Sequence, residues 1–315
     1  MSSPAQMAAA TIRAALGALL LAFGGHVAHA GPVARSATPA VAAVTVTPPA
    51  ATQPPARVYL FRGALGPIFS RGMDRLTDRL KAAGIKADVY EFTICRLIAE
   101  QAIRDYRDTS APIVLIGHSM GGLCAVTFAG MLQAENISVS LIVTIDPAQA
   151  TGKVPLNVER FINIFLSDNV LGGGDVVAEP GYQGRYASFD MKLHDEVTHI
   201  NIDKMDALHR QLVSAITQLA AMPAPANGET LPLRYVVPPE ASIELWDSGM
   251  PQLAKAGDTL QKLAAVNQVP LWSLTQANEY QEDAPLPVGQ RVLVPRRLIS
   301  LVPPPPTAVA SRPKR

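Results

Sequence analysis

The sequence predicts an α/β protein: a mainly parallel sheet with helices on both faces, followed by a small module of two short helices between two strands. Short apolar runs alternate with segments of helical spacing over residues 57–221, which predicts the large part. Residues 232–297 contain segments of helical spacing between apolar runs, and this pattern predicts the small module. The chain of 315 residues is 48% hydrophobic and 17% charged, so it is large enough and apolar enough to bury one full core and a small second one.

The amino-terminal residues have the pattern of an export signal. Arg13 precedes an apolar run at residues 14–23, and Ala28 and Ala30 supply a small-x-small cleavage pattern. Ten apolar residues are too few to cross ~30 Å of hydrocarbon, so we expect residues 1–30 to be a cleaved signal peptide. We find no other segment long and apolar enough to span a membrane, and we expect none in the mature chain.

Proline-rich segments separate the expected folded units. Residues 31–56 read as a Pro/Ala-rich spacer, residues 222–231 as a linker, and residues 298–315 as a disordered, Pro-rich basic tail. We therefore expect two folded units, at 57–221 and 232–297, with few core contacts across the linker.

The elements of the first unit follow in order along the chain. Strands are predicted at 58–61, 87–92, 113–116, 139–145 and 161–166, and helices at 70–84, at 94–106, around Ala125 to Leu132 and from Met205 to Leu219. Such alternation is typical of a parallel sheet, in which chemistry takes place at the carboxyl ends of the strands.

Charge and cysteine content exclude several classes of protein. Lys and Arg total 27 against 26 Asp and Glu, which excludes a nucleic-acid binder that works by bulk positive charge. Two cysteines exclude a disulfide scaffold and a multi-cysteine zinc site. Whether Cys95 and Cys124 pair stays open, and two buried thiols are the simpler expectation.

The segment Gly117 to Gly122 (G-H-S-M-G-G) follows a predicted strand and opens a predicted helix. Glycines permit the sharp turn that holds a serine hydroxyl above the sheet, so Ser119 is the candidate nucleophile. The N–H of Met120 at the helix N-terminus would point toward a developing oxyanion.

With this motif, residues 57–221 resemble the α/β-hydrolase superfamily, specifically its lipase- and esterase-like members. The resemblance implies a triad in the chain order serine, acid, histidine. His199 lies just before the last helix, where the family places its base, and His194 is the reserve candidate. His118 is expected to pack beneath the turn.

The acid and the second oxyanion donor also rest on the resemblance. The I-D-P-A setting of Asp146 is similar to that of lipases whose acid follows the earlier strand, so we favour Asp146 over Asp168, with Asp175 third. The Ala64 N–H is the expected second donor, although Arg62 stands where relatives often have histidine.

Residues 251–296 resemble a LysM module. The G-D-T-L segment from Gly257 through Asp258 and Thr259 to Leu260, together with the later L-P-V-G-Q-R-V-L-V-P, carries the resemblance. It implies binding of N-acetylglucosamine polymers such as peptidoglycan or chitin, with residues 257–260 as candidate contacts. The first strand departs from the family pattern, and Tyr235 to Val237 is one candidate to supply it.

Together these features predict an exported serine hydrolase that cleaves carboxylic esters, located in the periplasm or cell envelope or secreted, and targeted to wall glycan. Neither a metal nor an organic cofactor is implied, and the expected partners are a small-molecule or lipid ester and the glycan. Two alternatives stay open: a non-catalytic peptidoglycan-binding scaffold with a hydrolase fold, and a thioesterase or amidase.

Overall fold

The computed structural model describes residues 55–219 and 229–298. Its centre is a parallel sheet in the order β2-β1-β3-β4-β5-β6-β7. The strands are β1 (Arg57–Arg62), β2 (Lys86–Glu91), β3 (Ile113–His118), β4 (Leu141–Ile145), β5 (Arg160–Phe165), β6 (Arg185–Asp190) and β7 (Leu233–Val236). The predicted signal peptide, nearly all of the predicted spacer, most of the predicted linker and all but the first residue of the predicted tail lie outside the described residues.

Helices cover both faces of this sheet. They are α1 (Gly66–Phe69), α2 (Arg71–Ala82), α3 (Cys95–Thr109), α4 (Met120–Ala134) and α5 (Asp206–Leu219). Apolar residues of α2 and α5 pack on one face, and those of α3 and α4 pack on the other. Because both faces are covered, every residue of β3 and β4 is buried. The α/β prediction is confirmed.

The strand order places a crevice beside the predicted serine. After β1 the chain forms β2 on one side of β1, and it then forms β3 on the other side of β1. The loops that follow β1 and β3 therefore diverge at the carboxyl edge of the sheet, and in open α/β sheets such a switch point is where ligands bind. Ser119 directly follows β3.

The small module has the predicted order of two helices between two strands. β8 (Trp246–Leu253) pairs antiparallel with β9 (Arg291–Arg297), and α6 (Leu260–Asn267) and α7 (Leu271–Ala277) lie between them. Its own core contains Leu260, Leu263, Leu274 and Val292.

The boundary between the two parts differs from the prediction. Residues 233–236, which the sequence analysis assigns to the second unit, form β7 and pair with β6 at the edge of the large sheet. Tyr235 is therefore not part of the first strand of the small module, which is β8. Leu233 and Tyr235 are buried in the core of the large sheet, and this burial explains why the segment joins that sheet.

The small module also packs against the large sheet, contrary to the expected scarcity of core contacts. The ring of Trp246 lies 5.9 Å from Phe189 on β6, and Trp272 on α7 lies 5.3 Å from Tyr235 on β7. Asp247 is buried and pairs with Arg185 at 2.8 Å. The apolar rings of Trp246 on β8 and Trp272 on α7 are shielded from water because they pack against the edge of the large sheet.

Cys95 and Cys124 form a disulfide with a Cα–Cα distance of 5.7 Å. The expectation of two thiols was therefore wrong, since α3 and α4 lie side by side and bring the two residues within bonding range. Among the residues that the structure describes, no helix combines the length and apolarity that a membrane crossing requires.

Candidate active site

Ser119 occupies a sharp turn between β3 and α4. Its backbone has φ 56° and ψ −124°, a conformation that costs free energy for a residue with a Cβ atom and that is concentrated at functional sites. A Cβ atom at Gly121 would overlap the Phe61 carbonyl, so only glycine fits where α4 passes β1. The serine side chain is held at this strained position at the carboxyl edge of the sheet.

His199 lies on the loop that leads from β6 to α5. Its Nδ1 atom is 2.6 Å from Oδ2 of Asp146, and its side chain is 13% exposed. The reserve candidate His194 is buried and pairs instead with Glu196, at 3.1 Å. The structure thus brings His199, and not His194, together with Asp146.

Asp146 follows β4 and is completely buried, with φ 39°. Its Oδ1 accepts hydrogen bonds from the N–H groups of Leu166 at 3.1 Å and Gly173 at 2.8 Å. Its Oδ2, which faces His199, also accepts one from Nδ2 of Asn169 at 2.8 Å. The carboxylate therefore has four donors around it, and this fixes its orientation.

The sequence places the glycine triplet at residues 172–174 as a candidate border of the site, but it does not predict that this loop wraps Asp146. A Cβ atom at Gly172 would collide with the Asp146 carboxylate, so the glycine triplet at 172–174 allows the loop to close over it. The triplet was the available signal, but glycine repeats are commonly plain turns. Asn169, at the start of this loop, carried no recognisable pattern.

The other acid candidates lie elsewhere. Asp168 is exposed and makes no hydrogen bond or ion pair within the described residues, although it lines a cavity that also borders His199. Asp175 is exposed and pairs with Arg234. Neither carboxylate contacts His199.

The loop after β1 lies against Ser119. A Cβ atom placed on Gly63 would come within 2.6 Å of Ser119 Cβ. Within residues 55–219 and 229–298, the N–H groups of Ala64 and Met120 donate to no acceptor. Arg62, the departure from the family pattern, pairs with Asp74 on α2 and with Glu91 on β2, and these pairs anchor the turn.

His118 packs beneath the turn, as predicted. Its ring centroid lies 4.8 Å from that of His199. Burial, with a smaller contribution from His199, lowers the pKa of His118 to about 4, so its ring is neutral at neutral pH.

A cavity of about 410 Å³ opens next to His199 between the loops that follow β5 and β6. Its lining mixes apolar side chains such as Leu171, Val197 and Ile200 with polar ones such as Lys192 and Asp195. No group of three His, Cys, Asp or Glu side chains in the described ranges could hold a metal ion.

In the small module, the candidate glycan contacts form the turn between β8 and α6. Gly257 has φ 78°, and the Thr259 side chain caps α6 by accepting from the N–H of Lys262. Asp258 accepts from the N–H of Lys255, while Leu260 is fully buried in the module core. Leu260 therefore supports the turn from within and presents no surface to a ligand.

Comparison with known proteins identifies the small module. The chain has an α/β fold with a serine and a histidine–aspartate pair at the carboxyl edge of its sheet, and this part is joined to a LysM domain. Residues 254–295 match the family model of the LysM domain. A search of curated proteins gives no significant match.

Two solved structures match parts of the chain. One, from Xanthomonas campestris pv. campestris, carries the description of a hydrolase of the α/β superfamily; it is 14% identical, with a TM-score of 0.32, covering 52% of this chain and 97% of that one. The other is the RedJ thioesterase of the prodiginine biosynthetic pathway in Streptomyces coelicolor. It is 21% identical, with a TM-score of 0.23, covering 34% of this chain and 50% of that one.

Proposed function

We propose that this chain is an exported serine hydrolase that cleaves carboxylic esters and is held near cell-wall glycan by its LysM domain. The observation that carries the proposal is the pairing of buried Asp146 with His199, at the same sheet edge as the strained Ser119. A hydroxyl, a carboxylate and an imidazole in this chain order are the parts of a nucleophilic triad.

In this mechanism each residue has one task. Asp146 accepts the Nδ1–H of His199, which leaves Nε2 unprotonated and able to act as a base. His199 Nε2 takes the proton of Ser119 Oγ as that oxygen attacks the acyl carbon, and then gives the proton to the departing alcohol. A water molecule repeats the sequence on the acyl-enzyme and releases the acid.

The oxyanion that forms during attack needs hydrogen-bond donors in a fixed position. The N–H groups of Ala64 and Met120 have no acceptor within the described ranges, and the loops that carry them flank Ser119. Removing one such donor typically costs ~2.7–4 kcal/mol of transition-state stabilisation. We assign the oxyanion hole to these two groups.

The surface around the site favours apolar esters. Eleven large apolar side chains between residues 55 and 219 are exposed. Nine of them lie in the parts of the chain that directly follow β1, β2, β5 and β6, and these are Leu65, Ile68, Phe69, Ile94, Leu97, Val170, Leu171, Leu193 and Ile200. Because these parts begin at the carboxyl ends of parallel strands, they border the edge that carries Ser119. We therefore infer a substrate with an aliphatic acyl or alcohol part.

Two features support placement at the cell envelope. A disulfide such as Cys95–Cys124 is typical of proteins in oxidising compartments, which agrees with the export signal expected at residues 1–30. The LysM match at residues 254–295 supports binding to peptidoglycan or a related N-acetylglucosamine polymer.

The test is covalent labelling of residues 31–315 with a fluorophosphonate, combined with turnover of p-nitrophenyl butyrate. We expect one label, on Ser119, and loss of both label and turnover in Ser119→Ala. Ser167→Ala is the control, since Ser167 is exposed and its hydroxyl bonds Asp190. Folded protein without label would favour the scaffold alternative. Faster turnover of a thioester or an anilide than of p-nitrophenyl butyrate would instead assign the chain to thioesterases or amidases.

A further inference from the structure

A buried hydrogen-bonded relay connects the loop after β1 to the loop of His199. The Gly63 N–H donates to Ser70 Oγ at 3.0 Å, Ser70 Oγ lies 2.8 Å from His118 Nδ1, and His118 Nε2 lies 2.8 Å from the His199 carbonyl oxygen. Ser70 and His118 are each 1% exposed. Such buried polar groups depend on one another for their hydrogen bonds.

The partners fix the direction of every bond in this relay. A carbonyl oxygen only accepts, so His118 Nε2 must carry a proton and donate to His199. In a neutral imidazole, Nδ1 is then an acceptor, and the Ser70 hydroxyl donates to it. Ser70 Oγ keeps lone pairs for the Gly63 N–H. One arrangement satisfies all three bonds.

This arrangement requires a neutral His118. A proton on Nδ1 would remove the acceptor for Ser70 and place a positive charge beside the His199 ring, 4.8 Å away between centroids. The other charged groups that act on His118 are Asp146 and Lys204. Burial and the His199 imidazole both hold the pKa of His118 low, so the relay is intact at neutral pH.

We propose that Ser70 and His118 are positioning residues that hold the two halves of the active site together around Ser119. The relay ends on Gly63, which precedes the oxyanion donor Ala64, and on the backbone of His199, which carries the base. The inference rests on the proposed function, because it assigns these residues a purpose in the same reaction. Among the described residues, neither side chain forms a hydrogen bond with Ser119 Oγ or with the ring nitrogens of His199.

The first experiment separates positioning from folding. Ser70→Ala leaves the Gly63 N–H and His118 Nδ1 without partners, so we expect kcat for p-nitrophenyl butyrate to fall on the order of 10- to 100-fold with KM little changed. Ser70→Thr restores a hydroxyl and should recover most of the loss. Thr77→Ala is the matched control, since it removes a buried hydroxyl of α2 that donates to the Met73 carbonyl oxygen.

Rates are normalised to the fraction of protein that a fluorophosphonate labels, and melting temperatures are recorded for each variant. A Ser70→Ala protein that melts lower but keeps kcat within twofold of the parent would overturn the proposal, because Ser70 would then be only structural.

The second experiment needs no activity and no variant. Imidazole ¹⁵N NMR of the unaltered protein should show His118 as the Nε2–H tautomer, titrating well below the usual range for histidine. An Nδ1–H tautomer, or titration near pH 6.5, would overturn the relay even if esters are hydrolysed. The expected tautomer in a protein without any ester turnover would instead contradict the proposed function, so the two failures are distinguishable.

Discussion

Asp146, the proposed acid of the site, shows at the residue scale how much the surroundings contribute to one side chain. Its two oxygens accept four hydrogen bonds, of which only the one from His199 was expected. The main-chain donors Leu166 and Gly173 hold Oδ1, and the side chains of His199 and Asn169 share Oδ2. Hydrogen bonds to both oxygens therefore fix the orientation of this carboxylate.

The acid assignment gives the first prediction. Asp146→Asn should reduce kcat by about 10⁴-fold, because an amide in this place favours the wrong tautomer of His199. Asp168→Asn, the matched control after the neighbouring strand β5 at the same edge, should stay within twofold of the parent. Steady-state kinetics on p-nitrophenyl butyrate check both, and a damaging Asp168→Asn would transfer the acid role to the loop after β5.

Asn169 gives the second prediction. Asn169→Ala removes a donor from the Asp146 oxygen that orients His199, so we expect kcat to fall by roughly 10- to 100-fold, in line with the ~1.5–3 kcal/mol of a hydrogen bond to a charged group. The readout is kcat at constant KM. Rescue by Asn169→Gln to more than half of the lost rate would support orientation, and an unchanged rate in Asn169→Ala would contradict it.

Asp203 gives a third prediction, about pH. It is completely buried and accepts a hydrogen bond from the Gly72 N–H, and burial raises its pKa to about 6. The folded state therefore holds a proton that the unfolded state loses at lower pH, so this group contributes less stability as the pH rises through 6. Asp203→Asn has no carboxylate to ionise, so it should not lose this stability as the pH rises. The melting temperature of the variant minus that of the parent should therefore increase between pH 4 and pH 7. A difference that stays constant over this range would argue against the raised pKa.

Different residues of the site were predictable for different reasons. Ser119 was predictable because glycines on either side of a serine, after an apolar strand, satisfy a steric need that few other sequences meet. His199 followed from its place before the last helix. The choice of Asp146 over Asp168 needed a family resemblance, because both follow strands of the same sheet, and only the closed loop at Asn169 to Gly173 decides which one faces His199.

At the scale of elements, β7 shows what local patterns omit. Its four residues follow a proline-rich break, and four residues are too few to establish a period. Pairing with β6 and burial against Trp246 make this segment a strand, and both are contacts between parts of the chain far apart in sequence. The two-helix module, in contrast, was predictable because its whole pattern lies within about 45 residues.

The helix pair α3 and α4 gives the fourth prediction. Replacing Cys95 and Cys124 together by serine opens a cross-link between residues 29 apart in the chain. The unfolded chain then gains conformational freedom, so the free energy of unfolding should fall by about 2–4 kcal/mol. Urea denaturation measures this, with dithiothreitol-treated parent protein as the control. Equal midpoints would show that the bridge does not stabilise the fold.

At the scale of the whole molecule, the packed LysM domain changes the expected result of truncation. A chain that ends at Asn227 loses β7 and the β8 strand, and it exposes Phe189, which is fully buried against Trp246 and Tyr235. We expect this shortened protein to be insoluble or to melt well below the parent. Trp246→Ala is the milder test, with an expected loss of ~3–5 kcal/mol. A soluble and active protein ending at Asn227 would restore the independent-module interpretation.

The cluster of Tyr235, Trp246 and Trp272 has a thermodynamic consequence for the response to glycan. Because these rings belong at once to the sheet edge and to the small module, the two parts should melt in one cooperative transition. By mass action, any ligand that binds only the folded LysM surface then protects the catalytic sheet too, by ~2.7 kcal/mol at a hundredfold excess over its Kd. Chitin oligosaccharides should raise a single melting temperature, read equally from tryptophan fluorescence and from loss of ester turnover on heating. Under the proposed function, hydrolytic activity in the wall would therefore last longest where glycan is most concentrated.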